Sequence, residues 1–305
     1  MQGVQTYLCL VCKKRFRNKR RNRSILIKKL WFDYVFGKQT YRELSKKYSL
    51  DKRTIRDLLN QYQSPIKNHL PRAIHLLIDA TYFGKREEGK YWCVLVARDA
   101  YSKENISWLF SNHETTLAYA TLREDVEQKG YNVVSVTGDG FSGIKSAFSG
   151  IPYQMCHVHV ERLVVKGTTR NPQTEAGQVL LALAKTLHTT NSHLFITRLN
   201  LYIGKYSSFL NEKTYNQETG RKEWTHRPLR QAVTSLLNWK KYLFTYEHHE
   251  NIPKTTNSLE GYFSHLKAII KLHRGANKTH TKKIIHSILL ASTIAPSDKI
   301  KKETI

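Results

Sequence analysis

Two apolar segments of this chain each run straight into an aspartate. The first reads Leu76-Leu77-Ile78-Asp79 and the second Val133-Val134-Ser135-Val136-Thr137-Gly138-Asp139. Near-continuous apolar runs of this kind suit strands covered on both faces, with helices above and below the sheet. A carboxylate leaving such a strand is costly to bury alone. The two acids therefore constrain the chain twice: they ask for a covered α/β sheet and for a cation to meet them. A third acid, Glu260, stands near the start of a segment whose apolar positions Leu259, Tyr262, Phe263, Leu266, Ile269 and Ile270 form the stripe of an amphipathic helix closed by Gly275. Two strand-end aspartates and one helical glutamate are the hard oxygen ligands that Mg²⁺ or Mn²⁺ prefers.

The segments around these acids order themselves into a fold. Ala73–Phe83, Tyr91–Arg98 and Asn105–Phe110 read as strands, separated by turn signals at Gly84–Gly89 and Ala100–Lys103. Thr115–Lys129 has helical periodicity, Val133–Val136 is a fourth strand, Gly143–Phe148 a short helix and Pro152–Cys156 a fifth strand. The order β-β-β-α-β-α-β is that of a ribonuclease H-like α/β fold. Residues 160–250, with clear helical stretches at Val179–Leu187 and Arg230–Phe244, are too long for a simple connection and read as a helical insertion.

Charge separates the N-terminal quarter from the rest. The chain of 305 residues carries 50 Lys+Arg against 24 Asp+Glu, a formal charge of +26. Residues 1–72 hold 19 of those bases and 4 of the acids, a surplus of 15. Such a surplus points to nucleic acid. Directly behind the run Lys13–Arg23 lies a helix-turn-helix pattern over residues 25–62. Ile25, Leu26, Leu30 and Tyr34 mark a first helix, Thr40-Tyr41-Arg42-Glu43 is a capping box opening a second, and Asp51 caps a third with Ile55, Leu58 and Leu59 inward. Arg53, Thr54, Arg56 and Asn60 remain on the outer face for DNA, with Lys19 and Arg21 of the basic run as phosphate contacts. The competing bland interpretation is a plain helical hairpin.

Cys9 and Cys12 look like one knuckle of a zinc ribbon, but structural zinc wants four ligands and the next histidine or cysteine lies beyond the helix-turn-helix. Either the missing pair lay upstream of Met1 or the knuckle is vestigial, and a zinc-poor protein is the expectation. Four cysteines with one CxxC pair fit a reducing compartment, no signal peptide precedes the basic run, and no apolar stretch approaches the ~20 residues that span a bilayer, so a cytoplasmic, nucleoid-associated protein is expected. The expected division is a partial zinc ribbon and basic arm (1–24), helix-turn-helix (25–63), first part of the catalytic core (73–159), helical insertion (160–250), catalytic helix and end of core (251–292) and basic tail (293–305).

With these residues in place, the chain resembles the bacterial insertion-sequence transposases of the Mutator type, in the variant with a zinc-ribbon N-terminus. The resemblance runs from about residue 7 to about residue 290. It rests on Ile78-Asp79-Ala80-Thr81, on Gly138-Asp139-Gly140 with Lys145-Ser146-Ala147-Phe148 behind it, on the Cys-x-x-His of Cys156 and His159, and on Thr256-Asn257-x-x-Glu260. The 121 positions between Asp139 and Glu260 fit that family's helical insertion. The resemblance implies cleavage at transposon ends and joining to target DNA, with Asp79, Asp139 and Glu260 as catalytic metal ligands, double-stranded DNA as partner and a homo-oligomer assembled on it.

Both steps would be in-line attacks on a phosphodiester, first by water and then by the released 3′-hydroxyl, with two metals about 3.5–4 Å apart. Each acid also has a bland interpretation: Asp139 as a turn residue between glycines, Glu260 as a capping glutamate reaching back to Asn257. Asp99, Glu114 and Glu161 lack the strand-end or helix-face setting. Lys267 and Lys271, with Arg274, fall on one face of the Glu260 helix as backbone contacts for DNA or as a solvated basic face. Cys156 and His159 are too few for zinc and read as a hydrogen-bonded pair fixing the fifth strand. Two other functions remain: a non-catalytic DNA-binding regulator derived from a transposase, and a ribonuclease H-like nuclease.

Overall fold

A computed structural model of the chain describes residues 6–17, 23–85, 91–273 and 275–291. Of the residues singled out in the sequence, Lys19, Arg21, Arg274 and the tail 293–305 lie outside these. The chain forms two compact units, one of residues 1–67 with 265–291, the other of residues 68–264 with 292–305.

In the first unit, β1 (Thr6–Leu8) and β2 (Arg15–Arg17) pair antiparallel across the turn that holds Cys9 and Cys12. Three helices follow: α1 (Arg23–Val35), α2 (Tyr41–Tyr48) and α3 (Lys52–Asn60). The capping box is formed: the Thr40 amide donates to Glu43 Oε2 at 2.7 Å and the Glu43 amide donates to Thr40 Oγ1 at 3.4 Å. Ser49, at φ 52°, turns the chain left-handed between α2 and α3. Asp51 caps α3, accepting from the Thr54 amide at 2.9 Å and its hydroxyl at 2.5 Å. Leu30, Trp31, Tyr34, Val35, Leu44, Ile55, Leu58 and Leu59 form the buried face.

That face is closed by a C-terminal helix, α12 (Lys278–Ala291). Trp31 Nε1 donates to Ser287 Oγ at 3.0 Å, and Lys283 Nζ donates to the carbonyls of Leu59 and Asn60 at 3.1 and 2.8 Å. Those carbonyls lie in the last turn of α3, where Lys283 adds a donor beside the Tyr62 amide that already reaches Leu59. The sequence placed residues 251–292 together at the end of the core. The chain instead divides between residues 264 and 265, because α12 buries Ile284, Ile285, Ile288 and Leu289 within this first unit.

The second unit is built on a five-stranded sheet of β3 (Ala73–Phe83), β4 (Trp92–Asp99), β5 (Asn105–Ser111), β6 (Asn132–Gly138) and β7 (Tyr153–Met155) in the order β5-β4-β3-β6-β7. The first three strands form an antiparallel meander; β6 and β7 then run parallel to β3 on its other side. Helix α4 (Thr116–Gln128) makes the crossover to β6, and α5 (Ser142–Ala147) leads to β7. This is the ribonuclease H-like topology expected from the order of segments. All eight residues of β4 are buried, as a strand covered on both faces requires. Asp99, at its end, holds the β4–β5 turn through Arg72 at 2.8 Å and Ser102 at 2.7 Å, a structural role.

Between β7 and the Glu260 helix run α6 (His157–Thr168), α7 (Glu175–Lys185), α8 (Ser192–Lys205), α9 (Ser207–Leu210), a β8–β9 hairpin (Lys213–Asn216 and Arg221–Trp224) and α10 (Arg227–Trp239). The helical texture matches the expectation. The hairpin was not foreseen: its strands are mostly exposed, so no apolar alternation marks them. Leu180, Ala184, Phe195, Leu199, Leu229 and Leu236 join the apolar core that begins at the sheet. Helix α11 (Asn257–Leu272) follows, its residues through Ser264 belonging to this unit.

Candidate functional site

The register of the sheet sets two acids side by side. Leu77 on β3 is opposite Thr137 on the parallel β6. Two residues further along each strand come Asp79 and Asp139, at the same height on neighbouring strands, whose axes lie about 4.8 Å apart. Asp79 is only 8 % exposed, yet among the described residues its hydrogen bond comes from the next amide, Ala80, at 2.8 Å. Burial, reinforced by Asp139 and Glu260, pushes its carboxyl up to about 7. Asp139 is raised as well, by burial and by the charge of Glu114, although the Phe141 amide donates to its Oδ1 at 3.0 Å. Gly138 and Gly140 beside it are sites of close packing: a Cβ on Gly138 would lie 3.2 Å from Tyr153 Oη, and one on Gly140 3.2 Å from Met155 Cε.

Glu260 arrives from α11, whose start is stitched to the rest of the unit. Thr137 Oγ1 donates to the carbonyl of Pro253, the His157 amide to that of Lys254, and the Thr256 amide and hydroxyl to Cys156 Sγ at 3.3 and 3.4 Å. Asn257 is the first residue of the helix, and the Glu260 carboxylate does not turn back to cap it. It accepts from Nη1 and Nη2 of Arg162 at 2.7 and 2.6 Å and lies 3.5 Å from His159 Nε2.

Ligand atoms of Asp79, His159 and Glu260 all fall within 4.8 Å of one another. His159 therefore faces the acids as well as Cys156. Burial lowers the basicity of His159, but Cys156, Asp79 and Asp139 more than reverse this and bring it to about 9. Burial raises the Cys156 thiol, and hydrogen bonds from His159 and Thr256 override that and lower it. Cys156 stands at the start of α6 with the Thr256 amide and hydroxyl donating to its Sγ, and His159 three residues on reaches the acids.

The donor set fits a divalent cation. Burial lifts the Asp79 and Asp139 carboxyls above their usual range even though the charge of His159 works against it, and carboxylate oxygens stand there with one imidazole beside them. Glu114, passed over in the sequence, lies near Asp139 and accepts from Tyr119 Oη at 2.7 Å. Arg162 was also missed; its one visible signal is its spacing of three from His159 on a helix.

The other candidates stand elsewhere. Arg53 and Arg56 are exposed on α3, Thr54 is engaged with Asp51, and Asn60 ends the helix with its carbonyl taken by Lys283. Lys267 and Lys271 are exposed on the part of α11 that belongs to the first unit. Cys9 and Cys12 are unbridged at the β1–β2 turn, where hydrogen bonds from Cys12 and Val11 lower the Cys9 thiol.

A sequence model described as the Transposase IS66 family matches residues 51–269, which include Asp79, Asp139, His159, Arg162 and Glu260. The chain belongs to the IS66 transposase family. The expectation of a transposase therefore stands, while the family named is IS66 and not the Mutator type that the motifs resemble.

No curated protein matches this IS66 transposase. Among solved structures it is similar to the HTLV-2 integrase catalytic core domain in complex with magnesium, at 16 % identity and TM-score 0.24 over 51 % of this chain and 96 % of that one. It is also similar to the Drosophila P element transposase strand transfer complex, at 9 % identity and TM-score 0.39 over 90 % and 92 % of the two chains. A simian T-cell lymphotropic virus intasome in complex with the PP2A regulatory subunit B56 gamma matches at 13 % identity and TM-score 0.24, over 70 % of this chain and 66 % of that one. These likenesses are remote. Among the described residues, no helix of the IS66 transposase is long and apolar enough to cross a membrane.

Proposed function

We propose that this IS66 family transposase cuts the ends of its element and joins them to target DNA, with Asp79, Asp139 and Glu260 holding catalytic Mg²⁺ or Mn²⁺. The observation that carries the proposal is the buried Asp79 within β3 beside Asp139 just past the end of the neighbouring β6, with Glu260 brought by α11 to within 4.8 Å of Asp79. Bound metal would activate the attacking oxygen and stabilise the leaving one. The chain's own part is to bring Asp79 and Glu260 together beside His159, with Asp139 on the strand next to Asp79 and the β3 acid shielded from water. Burial leaves Asp79 poorly compensated without a cation, which favours loading. For zinc, Cys9 and Cys12 provide two ligands.

In this reading α1–α3 form the DNA-reading helix-turn-helix, with Arg53 and Arg56 directed to base edges and Lys19, Arg21, Lys267 and Lys271 to phosphates. Double-stranded element ends and target DNA are the partners, and pairing two ends calls for a homo-oligomer on DNA in the cytoplasmic nucleoid. The test is a labelled duplex of the DNA flanking the coding sequence, incubated with the protein and Mg²⁺ or Mn²⁺. Cleavage exposing a 3′ end, followed by joining to a second duplex, is the expected result. Binding without cleavage under both metals would leave a regulator instead.

A further inference from the structure

Glu260 differs from the two aspartates in having a guanidinium bonded to both of its oxygens. Asp79 and Asp139 receive hydrogen bonds from the Ala80 and Phe141 amides, whereas both oxygens of Glu260 are taken by the two terminal nitrogens of Arg162 at 2.7 and 2.6 Å. His159 and Arg162, three apart on α6, lie one above the other on a single helix face turned toward this glutamate. The Arg162 side chain is 56 % exposed and that of Glu260 22 %. The guanidinium is therefore free to swing on its stem without disturbing the core. A planar fork that fits a carboxylate fits a phosphodiester equally well, because both present two oxygens at similar spacing.

We infer that Arg162 is an exchange contact: it neutralises Glu260 while the site lacks metal, is displaced when metal takes the carboxylate, and then holds a non-bridging oxygen of the DNA phosphate beside the site. This rests on the reading of Glu260 as a metal ligand. No covalent step is involved; a bidentate ion pair is broken and an equivalent one is made to the substrate. The device prevents metal and free arginine from coexisting without DNA, so loading of the site and capture of the phosphate become coupled. Reciprocity follows: DNA, by offering Arg162 a better partner, raises the affinity for metal.

The two halves of the exchange have opposite signs, which separates it from a structural ion pair. Without DNA, Arg162→Ala should bind Mn²⁺ roughly threefold to tenfold more tightly than the parent, since Glu260 is then without its competitor. At saturating Mn²⁺, the same variant should cleave the labelled flanking duplex roughly tenfold to a hundredfold more slowly, for want of its phosphate contact. Mn²⁺ affinity is read by calorimetric titration of the intact chain, and Arg162→Gln, which keeps most of the stem, repeats the measurement if the alanine variant folds poorly.

In the Glu260→Gln background the Arg162→Ala gain in affinity should vanish, which excludes a general effect of removing a positive charge. A gain that persists there, or unchanged or weaker Mn²⁺ binding in Arg162→Ala and Arg162→Gln, overturns the exchange. So does cleavage at the parental rate. If instead Glu260→Gln alone leaves Mn²⁺ affinity untouched, Glu260 is not a ligand and the metal reading itself fails.

Discussion

At the level of single residues, Asp79 is costly where it stands. A carboxylate only 8 % exposed, raised to about 7 and receiving one amide hydrogen bond, weakens the fold that carries it. Asp79→Asn should therefore make the metal-free protein more resistant to heat, while the rise in melting temperature that Mg²⁺ produces in the parent should disappear. A variant with parental melting behaviour, with and without Mg²⁺, would remove Asp79 from the metal site. Asp79→Asn, Asp139→Asn and Glu260→Gln should each lower cleavage and joining by about 10³-fold, since the metal contributes several kcal/mol to the barrier. Binding of the same duplex in a gel-shift assay should change little. The two aspartates stood out in the sequence because a carboxylate after an apolar run is costly unless a cation meets it, although Asp79 lies within β3 and not at its end as the sequence suggested. Glu260 was legible because it heads an amphipathic helix. Arg162 was not, because a base on a helix is usually solvated and its partner lies 98 positions away; His159 was picked out by its Cys-x-x-His spacing and not by its approach to the acids.

Among the elements, those with strong local rules were the most readable. Thr40-x-x-Glu43 and Asp51 give the helix starts the sequence indicated, because capping is decided within four residues. The β8–β9 hairpin and the packing of α12 against α1 depend on distant partners and carry no such signature. That packing buries histidines in the first unit. His273 and His280 lie against the Tyr34 ring, at centroid separations of 4.2 and 5.6 Å, and burial lowers the pKa of His273, His280 and His286 alike. A histidine held neutral when folded takes up its proton only on unfolding, so its contribution is present above the ordinary value near 6.5 and is lost as pH falls below it. Hydrogen exchange at pH 7.5 and 5.5, corrected for intrinsic rates, should show α1, α3 and α12 losing protection at the lower pH; unchanged protection there would exclude the mechanism. The β1–β2 turn supports a different expectation. Two thiolates leave zinc open to water and chelators, so elemental analysis after mild chelation should find substantially less than one zinc per chain. Half a zinc per chain, lost in Cys9→Ser, would instead mean a four-cysteine site shared by two copies.

Over the whole molecule, most of the charge lies in one unit and the candidate site in the other. Residues 1–67 carry 18 Lys+Arg and 4 Asp+Glu, and residues 265–291 carry six Lys+Arg and no acid, a surplus of 20 out of the net +26. The sequence showed the first part of this surplus; the second became visible only when residues 265–291 were found in the same unit as α1–α3. The other unit, which holds Asp79, Asp139 and Glu260, carries the remaining +6. Affinity for DNA should accordingly follow the first unit and rate the second. For the intact chain, log affinity against log salt should fall with a slope of about −0.9 for each phosphate neutralised. Lys19→Ala and Arg21→Ala should weaken binding to all duplexes alike, each reducing the slope by about 1. Arg53→Ala and Arg56→Ala should instead narrow the difference between the flanking duplex and an unrelated one, at about 1–3 kcal/mol for each base edge no longer bonded. Fluorescence anisotropy on the two duplexes over a salt series reads both quantities. If all four variants lower the two affinities in parallel, α3 contributes charge alone and the sequence is read by some other part of the chain. If the slope is flat, the surplus of the first unit is a solvated surface and the electrostatic account of DNA capture falls with it.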